Sequence, residues 1–433
     1  MVSEMFHSPD IECLPREQLC ALQLQRLQAT VRRVYENVEF YRAKMQAAGI
    51  TPADIQKPED IRLLPFTTKQ DLRDTYPFGL FAAPQSEVVR VHASSGTTGK
   101  PTVVGYTKKD IAVWQEVVAR ALAMAGVDTS DTLQVAYGYG LFTGGLGLHY
   151  GGEARGCRVV PMSSGNTQKQ LMLMQDFGTT ALACTPSYAL HLAEEIERLG
   201  IDTALRVGIF GAEPWSLGMR QEIERRLKVR AHDIYGLSEI MGPGVSMECQ
   251  YQNGLHIAED HFWAEIVDTD TLAPLPDGVE GELVFTCITK EALPLIRYRT
   301  RDISALDTSV CACGRTHARM SRVRDRSDDM LIIRGVNVYP SQVASVLAAV
   351  EGLSAHFHVV VDRLHNADSL EVQVELPDGI RLDTVAHIEA LRRRLTTALQ
   401  STLGLSVQVT MLEHNSLERS VGKTVRVTDK RVK

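Results

Sequence analysis

Apolar and polar positions along this chain follow two periods that exchange repeatedly. Over residues 17–48, leucines, valines and aromatics recur every three or four positions, which predicts amphipathic helix. Residues 87–94 (EVVRVHAS) read as a strand, 110–126 as a helix and 133–139 as a second strand. The exchange continues with strand 157–162, helix 167–176, strand 180–184, helix 186–199, strand 205–211, helix 214–227 and strand 229–234. Strands alternating with helices imply parallel sheet, so α/β architecture is expected here. From about 255 the β segments crowd together (FWAEIVD, GELVFTCI, LIRYRTRDIS), as in a small β-barrel or meander. Past Gly335 a compact α+β unit follows: helix 340–350, strands 356–362 and 369–376, helix 383–402 and strand 406–412. The boundary falls near RDRSDDMLIIRG (324–335), giving expected domains of 1–327 and 328–433.

Composition narrows the function. The 433 residues are 44% hydrophobic and 23% charged, enough apolar material for a large core. A formal net charge of −7 argues against a general nucleic-acid binder. No apolar run reaches the length of a membrane span. The start, MVSEMFHSPDIECLPRE, lacks a basic-then-apolar leader. The eight cysteines lie scattered. These features together predict a protein of the reducing cytoplasm. The basic end (Lys423, Arg426, Lys430, Arg431, Lys433) fits a solvated tail or a functional cluster.

The chemistry begins at HASSGTTGKP (92–101). Short glycine-rich turns point backbone N–H groups outward, and hydroxyls and a lysine add donors, so an anion is the expected guest. The spacing is not that of the usual nucleotide loop, because only two residues separate Gly96 from Gly99 and Pro101 follows Lys100. Six further polar, glycine-punctuated stretches follow in order: GYGLFTGGLGLHYGGE (138–153), FGAEPWS (210–216), DIYGLSE (233–239), YRTRD (298–302), RSDDMLIIRGVNVYPSQ (326–342) and RSVGKTVRV (419–427). With these motifs the chain resembles the adenylate-forming acyl-CoA synthetase superfamily, and within it the phenylacetate–CoA ligase family. FTTKQDLRDTYPFG (66–79) and IFGAEPW (209–215) carry the narrower match. The resemblance covers nearly the whole chain.

The resemblance implies a fold and a reaction. The fold is a large N-terminal adenylation domain with parallel sheets and a β-barrel-like part, plus a small mobile C-terminal domain. The reaction takes an aryl carboxylate and ATP to an acyl-adenylate and pyrophosphate, after which the thiol of CoA displaces AMP. Mg²⁺ is the implied metal. Two anions must meet, so positioning and charge neutralisation dominate. By resemblance Ser94, Ser95, Gly96, Thr97, Thr98, Gly99 and Lys100 hold the β- and γ-phosphates. Gly211, Ala212, Glu213 and Pro214 line the adenine face, with Trp215 in the core. In the next motif, Asp233, Tyr235, Gly236 and Ser238 belong to the nucleotide site, and Glu239 is the Mg²⁺ ligand. Asp302 accepts the ribose diol, and Arg326 joins the same set. Lys423 bridges carboxylate and α-phosphate, a role that suits a point charge on a flexible stem. Asp328 is the hinge on which the small domain swings.

Tyr137, Tyr139, Phe142, Gly144 and Gly145 resemble the wall of the aryl pocket, where ring faces and edges suit an aromatic acid. For the aromatics, core packing is the competing reading. Departures from the family occur at Asp325, at Val343-Ala344, at Leu148 and at Met162-Ser-Ser-Gly165. The first two bear on domain closure. The last two suggest a substituted benzoate beside phenylacetate, with Ser163 or Ser164 as its hydrogen-bond partner. Cys249, His256, Cys311 and Cys313 form a Cys₃His set for structural zinc, with His261 or His317 as substitutes for His256. Free thiols in a reducing cytosol are the other reading, and both stay open. The thiol acceptor is CoA, or alternatively a carrier protein. A monomer or homodimer is expected, with neither nucleic acid nor membrane as partner. A non-catalytic binding protein is disfavoured, since Lys100, Glu239, Asp302 and Lys423 are all present.

Overall fold

The computed structural model describes residues 5–94, 101–323, 331–333, 336–364, 367–377, 385–417 and 426–431. The amino-terminal region is helical, with α1 (Pro9–Glu12), α2 (Arg16–Asn37), α3 (Glu39–Ala47) and α4 (Lys69–Asp74). The apolar period over 17–48 is therefore broken once, at Val38, whose backbone is extended (φ −121°, ψ 108°). Strands β1 (Val88–Ser94) and β2 (Thr102–Thr107) make an antiparallel hairpin in which Ser94 faces Thr102. Helix α5 (Lys108–Met124) starts from a capping box: Thr107 N donates to Asp110 Oδ2 at 2.9 Å and Asp110 N to Thr107 Oγ1 at 3.1 Å.

The predicted alternation then appears. Its members are β3 (Thr132–Val135), α6 (Thr143–Arg155), β4 (Arg158–Val160), α7 (Thr167–Asp176), β5 (Ala181–Cys184), α8 (Pro186–Leu199), β6 (Val207–Gly211), α9 (Leu217–Leu227) and β7 (Arg230–Leu237). After β8 (Gly242–Glu248) and β9 (Leu255–Ile257) come β10 (Phe262–Val267), β11 (Gly281–Cys287) and β12 (Tyr298–Ser304). The short strands β13 (Leu306–Asp307) and β14 (Arg319–Met320) follow.

One sheet has the order β13-β14-β9-β8-β7-β6-β5-β3-β4. Strands β4, β3, β5, β6 and β7 run parallel, as crossover helices require, and β8 onward is antiparallel. Ala181–Cys184 and Val207–Gly211 are buried throughout, the continuous apolar run expected of a central parallel strand. Strands β10, β11 and β12 form an antiparallel sheet of three. Of barrel and meander, the described strands make the meander. Closure fails because β13 and β14 turn away to extend the large sheet through β9.

Helix α6 replaces what the sequence suggests is only a glycine-rich run. Five of its thirteen residues are glycine, which lowers local helix propensity. Packing supplies the reason for them. A Cβ on Gly147 would lie 2.6 Å from Trp114 Cζ2 and 2.7 Å from Pro243 Cγ, so the helix reaches α5 and β8 only without side chains there.

The chain divides into two compact units. The first comprises Met1–Cys184, Ile201–Ala212 and Val229–Arg322, and the second Thr185–Gly200, Glu213–Lys228 and Val323–Lys433. The expected boundary at 327/328 lies outside the described residues. The second unit contains α8, α9, the hairpin β15 (Leu331–Ile333) and β16 (Val336–Val338), and α10 (Pro340–Ala349). It also holds β17 (Phe357–Leu364), β18 (Ala367–Glu375), α11 (Val385–Leu403), β19 (Gln408–Leu412) and β20 (Val427–Asp429). Its four-stranded sheet, β19-β18-β17-β20, buries Val359, Val361, Val372 and Val374 against Val343, Leu395 and Leu399.

Candidate functional site

Four of the motif segments leave the carboxyl ends of the parallel strands. Residues 136–142 follow β3, 161–166 follow β4, Ala212 follows β6 and 238–241 follow β7. In open parallel sheets this end is where ligands bind. Tyr137 ties the strand ends together, its hydroxyl donating to the carbonyls of Cys184 at 2.6 Å and Gly211 at 3.2 Å.

Several residues of the expected nucleotide set lie in the first unit. The Tyr235 hydroxyl donates to Asp302 Oδ2 at 2.6 Å, and Asp302 is itself buried. Thr300 Oγ1 accepts from Asp302 N at 3.0 Å, which fixes that backbone. Ser238 Oγ shares a 3.0 Å hydrogen bond with Thr143 Oγ1 in the first turn of α6. Asp233 pairs with Arg322 Nε at 3.1 Å, while its N–H donates to the buried Glu248 Oε2 at 2.8 Å. Gly211 ends β6, and a Cβ there would sit 2.1 Å from the Ile234 carbonyl. Ala212 is exposed with left-handed backbone (φ 70°), strain of the kind that marks ligand sites. In the second unit the Glu213 carboxylate accepts from Ser187 N at 2.7 Å, Pro214 is half-buried, and Trp215 is buried under Arg220, as a core residue should be. Gly236 is half-buried on β7.

Glu239 is buried beside the cation Lys69, whose Nζ lies 3.4 Å from Oε1. Lys290 secures the same turn from beneath. It is buried over the Tyr106 ring and donates to the Ile240 carbonyl at 2.8 Å and to that of Glu239 at 3.5 Å. Burial holds its ammonium below the usual lysine range. Tyr106 completes the support by donating to the Met241 carbonyl at 2.8 Å. Neither Lys69 nor Lys290 is singled out by sequence reading, although Lys69 lies within FTTKQDLRDTYPFG.

The residues expected to line the acyl pocket have structural partners of their own. With its hydroxyl engaged by backbone, Tyr137 offers only its ring, 6.4 Å from that of Phe142. Phe142 is 42% exposed and caps α6, and Gly144 and Gly145 are buried in the first turn. Tyr139 is half-buried, with its hydroxyl 3.3 Å from His149 Nδ1, and burial raises its phenol above the usual range. His92 Nδ1 donates to the Leu141 carbonyl at 3.1 Å, joining the foot of the β1–β2 hairpin to this wall. Ser94 ends β1 and Thr102 begins β2, so the expected phosphate-loop segment falls between the two strands in the sequence. Ser95, Gly96, Thr97, Thr98, Gly99, Lys100, Arg326, Asp328 and Lys423 lie outside the described residues.

A second cluster sits toward the antiparallel edge of the large sheet. The ligand atoms of Cys249, His256, Cys311 and Cys313 all lie within 4.8 Å of one another. Tetrahedral zinc with Zn–S of about 2.3 Å places ligand atoms roughly 3.5–3.8 Å apart. Cys249 Sγ and Cys311 Sγ are 3.8 Å apart, and Cys313 Sγ is 3.4 Å from His256 Nε2, so the donor set fits that ion. His256 Nδ1 donates to the His317 carbonyl at 3.2 Å, which turns Nε2 toward the thiols. His261 instead pairs with Asp260, and His317 lies against the Ile257 and Ile11 carbonyls.

Residues 21–287 match the family described as AMP-binding enzyme, and residues 335–431 match the AMP-binding enzyme C-terminal domain. The chain is 53% identical over 428 residues to a phenylacetate-coenzyme A ligase of Escherichia coli (strain K12), covering 97% of each. It is 50% identical over 444 residues to a phenylacetate-coenzyme A ligase of Thermus thermophilus, covering 99% of this chain and 100% of that one. Among solved structures, a 2-hydroxyisobutyryl-CoA ligase in the postadenylation state with 2-HIB-AMP matches with TM-score 0.91 and 27% identity. That match covers 98% of this chain and 92% of the other. Among the described residues no helix is long and apolar enough to cross a membrane.

Proposed function

The chain belongs to the AMP-binding enzyme family, and from that membership we infer that it is an AMP-forming aryl-acid–CoA ligase with phenylacetate as its leading acid. One observation carries this: half of its residues are identical to those of phenylacetate–CoA ligases across nearly their whole length. The geometry supports it.

The reaction divides among the residues as follows. The acid's ring lies against Tyr137, Tyr139 and Phe142, and its carboxylate faces the turn that carries Ser238 and Glu239. Asp302 receives the ribose hydroxyls, a reading supported by the 2.6 Å hydrogen bond its carboxylate accepts from the Tyr235 hydroxyl. Glu239 fits Mg²⁺ because a cation, the Lys69 ammonium, already stands 3.4 Å from its Oε1. Bound Mg²⁺ supplies charge neutralisation where pyrophosphate leaves. Ser95, Thr97, Thr98 and Lys100 grip the outer phosphates. Lys423 bridges carboxylate and α-phosphate in the first half-reaction and withdraws for the second, with Asp328 as the hinge. The carboxylate oxygen bonds to the α-phosphorus as the bond to pyrophosphate breaks. The thiolate sulfur then bonds to the acyl carbon, and AMP leaves with that oxygen. Zinc held by Cys249, His256, Cys311 and Cys313 would be structural, since four protein donors would leave no position for a substrate.

A substituted benzoate is the second acid, favoured by the Ser163 and Ser164 hydroxyls beside the wall. A carrier-protein thiol is the second acceptor. Pyrophosphate release against phenylacetates, benzoates and anthranilates, with and without CoA, decides both. A CoA-dependent burst of AMP with phenylacetate is expected. Turnover only in the presence of a carrier protein would reassign the acceptor.

A further inference from the structure

A chain of buried amides reaches the acyl wall from behind. Gln134 on β3 and Gln170 on α7 are both fully buried. Thr179 Oγ1 donates to Gln134 Oε1 at 2.9 Å. Gln134 Nε2 donates to Gln170 Oε1 at 2.6 Å and to the Gln170 carbonyl at 3.1 Å. Gln170 Nε2 donates onward to the carbonyls of Ser163 at 2.7 Å and Gly165 at 3.2 Å. All four amide hydrogens and both amide oxygens are thereby engaged. Apolar side chains would fill this space at less desolvation cost, so two buried amides call for a purpose.

The turn they hold supplies one. Ser163 (φ 66°), Gly165 (φ 82°) and Asn166 (φ 49°) all have left-handed backbone. Such backbone at two non-glycine residues persists only where the surroundings over-determine it. The turn presses on the acyl wall: Tyr139 N approaches Ser163 Oγ at 3.4 Å, and a Cβ on Gly138 would meet Ser164 Oγ at the same 3.4 Å. Ser163 N also donates to the Val135 carbonyl at 3.1 Å, so the turn is fixed from both sides.

We propose that Gln170 is a positioning residue for acid selection. Oriented by Thr179 and Gln134 behind it, its amide sets the Ser163–Asn166 turn against Gly138 and Tyr139, and the turn sets how deep and how polar the acyl pocket is. The inference rests on the acyl-pocket reading given above. It makes no claim on the nucleotide residues, which gives it a distinct signature.

The test compares full-length wild type with Gln170→Leu and Thr179→Val. Each is assayed by pyrophosphate release with phenylacetate and 4-hydroxyphenylacetate. In Gln170→Leu the kcat/KM for phenylacetate should fall about tenfold, as a lost buried hydrogen bond implies. The preference between the two acids should shift, and the KM for ATP should stay near the wild-type value. Thr179→Val should move selectivity the same way by less, and it decides the matter if Gln170→Leu does not fold. Unchanged acid kinetics in the folded variants, or equal shifts for acid and ATP, would overturn the proposal. A wild-type enzyme inert toward every aryl acid would instead overturn the functional reading, and the proposal with it.

Discussion

Tyr235 and Asp302, 67 positions apart, meet through a 2.6 Å hydrogen bond from phenol to carboxylate. The two residues come from different motifs, and the fold makes them one site. Asp302→Ala should raise the KM for ATP about 10–100-fold, the value of a hydrogen bond to a charged acceptor. Tyr235→Phe should raise it less. Steady-state pyrophosphate release checks both, and an equal rise in the KM for the acid would contradict the assignment.

Lys423→Ala separates the half-reactions. Adenylate formation should fall by about 10²–10³-fold, the scale of one preorganised electrostatic contact. Thioester formation from supplied phenylacetyl-adenylate and CoA should be unaffected. Single-turnover assays of each step read the difference, and equal loss in both would discredit the bridging role.

The Cys₃His cluster predicts about one zinc per chain, with ligand affinity coupled to folding. Metal analysis of purified protein checks the content. Cys311→Ser should lower both zinc content and melting temperature. Zinc below about 0.3 equivalents in the wild type would favour free thiols.

Acid stability is governed in part by Asp260. Burial works to raise its pKa, but His261 and Arg120 outweigh burial and hold its carboxyl well below the usual range. Arg120 Nη1 donates to Asp260 Oδ1 at 2.8 Å and Nη2 to Oδ2 at 3.2 Å. A carboxyl with a depressed folded pKa contributes stability that is present above its unfolded value of about 3.9 and is lost as pH falls below it. Asp260→Asn should therefore cost about 3–5 kcal/mol at neutral pH and lose less on acidification than the wild type. Urea midpoints measured from pH 7 down to pH 3 check this, and parallel curves for the two proteins would contradict it.

Gly147 is required by contact rather than by backbone angle. Gly147→Ala should cost about 1–3 kcal/mol, the usual effect of overpacking, because Trp114 and Pro243 leave no room for a Cβ. Thermal melting checks it, and an unchanged melting temperature would show that α5 can yield.

The alternation of strands and helices was legible in the sequence because both periods are local and strong. The break at Val38 was not, since nothing in the helical period of 17–48 marks it. Helix α6 was hidden by its own glycines, among which Gly147 finds its purpose in Trp114 and Pro243, far off in sequence. Glu239, Tyr235 and Asp302 could be proposed through their motifs. Lys69 and Lys290 could not, because a lone lysine acquires meaning only from its neighbours in space. The Cys₃His set was legible as residue types, but only the fold chose His256 over His261 and His317.

The most direct test of the adenylate route follows one atom. Phenylacetate labelled with ¹⁸O in its carboxylate is turned over with MgATP and CoA, and the AMP is analysed by mass spectrometry. Attack of the carboxylate on the α-phosphate predicts AMP carrying one ¹⁸O, with phenylacetyl-CoA and pyrophosphate as the other products. Unlabelled AMP, or ADP and phosphate in its place, would contradict it.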